Sequence, residues 1–178
     1  MNDTLMVVIG IFIAVILMFI FPLLSMSERQ DDISQSGVQT ATSEFVDKIS
    51  VKGKITPADY ESYITTINAM SGAPYEVEIE VQHIDENPGK KTATTSSDLI
   101  GENLRYSTFT TEVLNTMYSG STSQAYPLKK GDNVIVTAKN TSKTMAQMLR
   151  TSFYKVTGGD TTQVAASASS MVVNGSNP

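Results

Sequence analysis

The chain has 178 residues, a formal net charge of −5 and neither cysteine nor tryptophan. The length suits one compact domain behind an apolar N-terminal segment, and the missing cysteines exclude disulfides, thiolate metal sites and cysteine nucleophiles. Because the net charge is negative and no Lys/Arg run stands out, nucleic-acid binding is disfavoured, since phosphate contacts supply most of that affinity.

An uncharged apolar segment begins the chain. No charged residue lies between Thr4 and Ser27, and about 20 apolar residues suffice for a helix to cross a bilayer. A cleaved signal peptide is the alternative, since Ser25 and Ser27 offer small residues at a spacing that a signal peptidase accepts. Against it, no Lys or Arg precedes the segment, and the apolar run exceeds the roughly 7–15 residues of a typical signal. We therefore predict a permanent, single-pass transmembrane helix over residues 1–27.

The predicted membrane helix carries two further signals. Gly10 and Ala14 lie four residues apart on one helix face, and small residues at that spacing let membrane helices pack closely. The alternative is that Gly and Ala are common in membrane helices of every kind. Pro22 removes one backbone hydrogen bond, which predicts a helix bend there.

The orientation of the helix depends on two opposing signals. Arg29, the first basic residue after the span, favours a cytoplasmic C-terminal side under the positive-inside rule. The remainder of the chain is rich in Ser, Thr, Asn and Gly and lacks Cys, which favours export. We expect the C-terminal domain to be extracytoplasmic.

An amphipathic pattern follows directly. Apolar residues recur at three- and four-residue spacings over residues 31–50, which predicts a helix. Its stripe comprises Val38, Ala41, Thr42, Phe45, Val46 and Ile49. Since nothing between residues 26 and 32 demands a break, we predict one long helix, with residues 28–54 as its amphipathic extension and Lys52-Gly53-Lys54 as its end.

Residues 55–174 predict an α+β domain, followed by a tail over residues 175–178. Thr56 as N-cap, Pro57 in the first turn and Asp59 in a capping box predict a second helix, which Gly72 ends. Alternating apolar and acidic residues predict a strand over residues 75–84.

The rest of this domain predicts further elements in chain order. They are a loop over residues 87–98, a helix over 103–118 with Phe109, Val113 and Leu114 inward, a loop over 119–124, a turn at 130–132, a strand over 133–139, a helix from 142 to about 154 and a strand over 161–173. The small side chains of residues 165–170 indicate a helix packed closely against the last strand. The fold class is therefore α+β with a small, mainly antiparallel sheet.

His83 is the single histidine, and Asp85 and Glu86 follow it closely. This grouping could form a metal site or an acid–base pair. The alternative is a histidine at a strand end beside a solvated turn. We favour the alternative, because one histidine with carboxylates in a single loop is weak evidence for a site.

Three glutamates, Glu76, Glu78 and Glu80, alternate along the first predicted strand. Carboxylates could bind calcium, but these are spread along the strand rather than converging, so they indicate a solvated face. The sequence also has no glycine-rich loop with the pattern that binds phosphate groups. The sequence thus predicts no catalytic, metal or cofactor-binding residue and no cofactor, and we expect no enzymatic activity.

The predicted chain has an apolar N-terminal helix that continues into an amphipathic one, followed by a small α+β head. This architecture resembles that of type IV pilin-like proteins. Residues 131–137 (GDNVIVT) and 163–173 (QVAASASSMVV) resemble the C-terminal pair of strands in TadE-like pseudopilins, minor subunits of tight-adherence (Tad) pili. The resemblance covers the opening helix and this C-terminal part, and residues 55–126 contribute nothing to it. A prepilin leader is not visible: Gly10 lies inside the apolar run, and Val15 stands where pilins carry a glutamate.

The resemblance implies a membrane-anchored structural or assembly subunit of a Tad or type IV filament, or of a related secretion machine. Its expected partners are the membrane, other pilin-like subunits and secretion-apparatus membrane proteins, in an oligomer or filament without nucleic acid. The expected location is the cell membrane, with the C-terminal domain extracytoplasmic or incorporated in a surface filament. The alternative is a membrane-tethered extracytoplasmic binding module that does not polymerise.

Overall fold

One unbroken helix, α1 (Asn2–Lys52), joins the apolar segment to the rest of the protein. In this computed structural model, residues 2–72, 74–84, 105–119, 124–142, 148 and 165–175 are described. The predicted continuity of the two patterns is confirmed, and Pro22 lies inside the helix. The end is also as predicted: the Gly53 N–H donates to the Ile49 carbonyl at 2.8 Å, and Gly53 has a φ of 67°. A helix bend at Pro22 stays a prediction.

The second helix follows a two-residue strand. β1 (Lys54–Ile55) leads into α2 (Pro57–Ser71), where the Thr56 hydroxyl accepts the Asp59 N–H and Gly72 ends the helix in the left-handed conformation. Both predicted helix ends are confirmed. The capping box is only half formed, because the Asp59 carboxylate binds the Thr56 hydroxyl and two lysines rather than the Thr56 backbone amide.

The remaining described elements complete an antiparallel sheet and one helix. They are β2 (Tyr75–Ile84), β3 (Arg105–Phe109), α3 (Thr110–Tyr118), β4 (Tyr126–Pro127), β5 (Asn133–Asn140) and β6 (Ala165–Met171). The larger sheet has four strands in the order β3-β2-β5-β6, and β1 pairs with β4 in a separate two-stranded sheet. Every strand pair within the described ranges is antiparallel, which confirms the α+β class and the antiparallel sheet.

The predicted helix over residues 103–118 is wrong in its first part, where β3 lies instead. The Tyr-Ser-Thr-Phe sequence of β3 suits a strand, and it pairs with β2 from Glu80 to Ile84. Thr110 marks the change to helix, since its hydroxyl accepts the Ile79 N–H at 2.7 Å. As a result Phe109 is 60% exposed rather than inward, whereas Val113 is buried and Leu114 partly buried, as predicted.

The core lies between the helices and one face of the sheet. All six residues of the predicted α1 stripe are buried. Alternate residues of β2 and β5 point to the same core, which confirms the strand predicted over 75–84 and the one over 133–139. The other sheet face carries the exposed Glu76 and Glu78. The predicted loop over 87–98, and nearly all of the predicted helix over 142–154, lie outside the described residues.

The predicted close approach of a helix to the small-residue strand is confirmed. Ala166 is buried in the core, and the Gln39 side-chain amide of α1 binds the backbone of Ser167 in β6. It donates to the Ser167 carbonyl at 2.9 Å and accepts the Ser167 N–H at 3.3 Å. Gln39 therefore satisfies two outward-pointing backbone groups of this strand, as a neighbouring strand would.

Candidate functional site

The most unusual surface of the protein is the apolar N-terminal half of α1. Its large side chains over residues 5–24 are almost all exposed, with Phe12 at 69% and Met18 at 77%. Monomeric soluble proteins rarely expose apolar patches of that extent, and such patches mark membrane or protein contacts. By length and composition, α1 is the one helix in the described part of the chain able to cross a membrane; a signal sequence near an N-terminus meets the same criterion.

The predicted packing residues lie on this exposed half. A Cβ atom added to Gly10 meets nothing within 4 Å, and Ala14 is exposed. The structure of one chain therefore leaves the Gly10–Ala14 face open to another helix. Whether another helix occupies it stays a prediction.

A short polar stretch, residues 25–33, separates the apolar span from the head, and we call it the stalk. Just beyond the stalk, the Ser34 hydroxyl of α1 donates to the Met70 carbonyl of α2 at 3.4 Å. Gly37 lies beside the same residue, since a Cβ added there would sit 3.3 Å from the Met70 sulfur. At about 1.5 Å per residue, the stalk holds the head within roughly 14 Å of the apolar span.

The head is fastened to α1 by an aromatic and a polar contact in the core. The rings of Phe45 and Tyr63 stack with centroids 4.5 Å apart. The Tyr63 hydroxyl lies 2.9 Å from the Thr42 hydroxyl, which itself donates to the Val38 carbonyl. These contacts join α1 and α2 through buried side chains, so the head is built on the same helix that carries the apolar span.

Asp59 forms the ionic part of the same junction. Its carboxylate is buried and lies 2.9 Å from Lys48 Nζ and 2.5 Å from Lys52 Nζ, both on α1. Burial alone would raise the pKa of Asp59, but hydrogen bonds from Lys52, Thr56 and Lys48 outweigh burial and hold this pKa well below its ordinary value. The ionised carboxylate therefore links the start of α2 to the end of α1.

We expect this link to make the head less stable in acid. A lowered folded-state pKa means that the stabilisation is complete above the unfolded pKa of about 4 and is lost as the pH falls below it. Asp59→Asn should cost about 2 kcal/mol of unfolding free energy at pH 7, and its difference from wild type should shrink in acid. Urea unfolding of the detergent-solubilised chain at pH 7 and at acid pH measures both.

The matched control is Asp47→Asn, an exposed aspartate on α1. It should change the unfolding free energy little at either pH. If the unfolding free energies of wild type and Asp59→Asn differ by the same amount at both pH values, the charge of Asp59 is not what stabilises the junction.

His83 lies in a buried polar cluster that sequence reasoning missed. His83 is 6% exposed and Asp132 only 1%. His83 Nδ1 lies 2.8 Å from Asp132 Oδ2, and His83 Nε2 lies 3.1 Å from the Tyr126 hydroxyl. The Asp132 carboxylate also accepts the Lys129 N–H at 2.8 Å. The predicted neighbours Asp85 and Glu86 lie outside the described residues.

The arrangement of this cluster accounts for every polar atom of the imidazole. With the proton on Nδ1, His83 donates to the Asp132 carboxylate and accepts from the Tyr126 hydroxyl, so both ring nitrogens are satisfied. Burial raises the pKa of Tyr126, which opposes formation of a nucleophilic phenolate. No group of three His, Cys, Asp or Glu side chains suited to a metal occurs among the described residues. The cluster therefore suits a structural tie between β2, β4 and the turn before β5.

The outer face of the sheet holds a shallow groove of about 450 Å³. Acidic side chains of β2 line one side, and Phe109, Ile135 and Thr137 complete it. Lys139 Nζ pairs with Glu78 at 2.7 Å, and Ser107 donates to Glu80, so two of the acidic groups are already bound. The groove is large enough for a small ligand or an extended peptide.

No family model, curated protein sequence or solved structure matches this chain. The features of the chain that bear on function are the exposed apolar half of α1, the stalk and a head built on the same helix.

Proposed function

We propose that the protein is a membrane-anchored, pilin-like structural subunit that assembles through its N-terminal helix into a filament or secretion machine of the Tad or type IV kind. The single observation that carries the proposal is α1 itself. One unbroken helix presents an exposed apolar half and contributes its other half to the core of the head. A simple tether needs only a membrane span and a flexible linker.

The apolar half of α1 suits two environments in turn. In the bilayer, residues 4–27 provide an uncharged helix of sufficient length. In an assembly, the same surface can pack against identical helices, because lipid and a dry helix bundle are similarly apolar and packing decides between them. The head, held on the extracytoplasmic side, then covers the outside of the bundle or contacts secretion partners.

The test follows the full-length chain in its own cells. We expect one pool that resists alkaline carbonate extraction from membranes and a second that sediments with filaments sheared from the cell surface. Recovery of a soluble chain whose N-terminus is Glu28 would show instead that the apolar segment is a cleaved signal. A carbonate-resistant chain that never enters a sheared or sedimenting assembly would favour the second function.

The second candidate is a membrane-tethered binding module that does not polymerise. The groove on the outer sheet face favours it, since it combines acidic groups with the exposed Phe109 ring. We place it second because the groove does not explain why α1 runs without a break from the apolar span into the core.

A further inference from the structure

In the part of the chain that the structure describes, β6 is the last strand of the larger sheet. Such an edge strand presents a row of backbone N–H and C=O groups with which a strand of another chain can pair. Charged side chains, prolines or bulges block many edges. Residues 165–171 of β6 contain only Ala, Ser and Met, and their register with β5 is continuous. The strand itself therefore has none of these protections.

The contacts of Ser167 show which backbone groups of β6 face the edge. Its N–H and C=O both bind the Gln39 side chain of α1, so they point away from β5. In an antiparallel strand the two groups of one residue point to the same side, and the side alternates along the strand. Every second residue up to Val173 therefore presents its backbone to this edge. The Val173 N–H agrees, since it donates to the Ser50 carbonyl of α1 at 3.2 Å.

The helix α1 runs beside this edge and approaches it closely at one end. Gln39 and Ser50 are 11 positions apart on α1, or about 17 Å at helical rise. Ser167 and Val173 are six positions apart in sequence, or about 20 Å along an extended strand. At Val173 the helix backbone itself bonds the strand, whereas at Ser167 the length of the Gln39 side chain lies between them. The gap between helix and strand therefore widens toward Ala165, and Gln39 spans it.

We propose that Gln39 is an edge guard, a side chain that prevents the β6 strands of two copies from pairing. Its amide donates to the Ser167 carbonyl at 2.9 Å and accepts the Ser167 N–H at 3.3 Å. It thus occupies both groups that a second strand would use at this position. Because a glutamine side chain offers no further row of backbone groups, the ladder of hydrogen bonds ends at α1.

The partner that the guard excludes is a second copy of this chain. Two β6 strands have identical, uncharged edges, and identical edges can pair antiparallel about a twofold axis. The inference does not depend on the proposed function, because strand pairing would link the heads of two copies whether or not they assemble through α1.

Cysteine cross-linking measures this pairing, because the natural chain has no cysteine. Ser167→Cys and Ser169→Cys, tested one at a time, each place a thiol on an exposed position of β6. After mild oxidation of the detergent-solubilised full-length chain, adding Gln39→Ala should raise the yield of disulfide-linked dimer at least about fivefold in one of them, because two hydrogen bonds no longer occupy the edge. Equal yields with and without Gln39→Ala at both positions would overturn the proposal.

Two control variants separate guarding from a general change in α1. Gln39→Glu should leave the dimer yield at the wild-type level, because its carboxylate still accepts the Ser167 N–H and adds a charge to the edge. Thr40→Ala should also leave it unchanged, since the exposed Thr40 hydroxyl binds only the Ser36 carbonyl of its own helix among the described contacts. If Thr40→Ala raises the dimer yield as much as Gln39→Ala does, Gln39 has no specific guarding role and the proposal fails.

Amide hydrogen exchange of the wild-type chain tests the contact without any substitution. The Ser167 N–H should exchange at least about tenfold more slowly than an unprotected amide of the same sequence, because it is bonded although it lies on an edge. Exchange of this amide at the unprotected rate would overturn the proposal, even if Gln39→Ala fails to fold.

Discussion

Replacing Gly10 and Ala14 together by leucine is expected to abolish assembly while the membrane level of the protein stays normal. Leucine is at least as apolar as glycine and alanine, so insertion should be unaffected. Within one chain there is room for the larger residue at position 10, since a Cβ added there meets nothing within 4 Å. Between chains, two isobutyl groups would keep helices from the close approach that small residues allow.

The measurement compares carbonate-resistant membrane protein with sheared or sedimenting assemblies from the same cells. The control is Ile9→Leu/Ile13→Leu, which has the same spacing on a neighbouring face and changes shape without adding bulk. If assembly persists in the Gly10→Leu/Ala14→Leu variant, the membrane segment is a tether and the binding-module function gains support.

His83→Ala is expected to destabilise the head by about 3 kcal/mol, because it removes a hydrogen-bond donor from a buried carboxylate and leaves a cavity in place of the ring. The change removes the imidazole donor from the Asp132 carboxylate, which is 1% exposed, while the hydrogen bond from the Lys129 N–H remains. It also removes the acceptor of the Tyr126 hydroxyl and opens a cavity beside Tyr106, whose ring centroid lies 4.9 Å from that of His83. Urea unfolding of the detergent-solubilised chain, monitored by circular dichroism, measures the loss.

His83→Asn is the matched control, because its amide can donate to Asp132 from nearly the position of Nδ1. It should recover a substantial part of the lost stability. Since we expect no chemistry at His83, any functional defect in either variant should scale with the loss of folded protein. A variant that folds as well as wild type yet loses function would contradict the structural role and reopen the case for a catalytic one.

Local signals in the sequence predicted the helical part of the fold well. The stripe from Val38 to Ile49, the Thr56 cap and the Gly72 end all depend on neighbours within a few positions, and all are confirmed. The β2 and β5 strands were predicted equally well, because a strand with one buried face alternates apolar and polar residues in the sequence.

Non-local contacts account for what the sequence did not predict. β3 is five residues long and is fixed by pairing with β2, while two-residue β4 exists through its bridge to β1. The hydrogen-bond partners of His83, Asp132 and Tyr126, are 49 and 43 positions away in the sequence. A search for carboxylates next to His83 in the sequence therefore could not identify them.

The unbroken course of α1 determines how a mechanical load passes through the protein. A pull on the head reaches the apolar span along the backbone hydrogen bonds of a single helix, with no flexible connector to lengthen first. Because Phe45 and Ile49 bury their side chains in the head, the helix cannot slide out without dismantling the core. We therefore expect the protein to transmit tension as a stiff rod, so that a force which displaces the apolar span along its axis moves the head by the same distance.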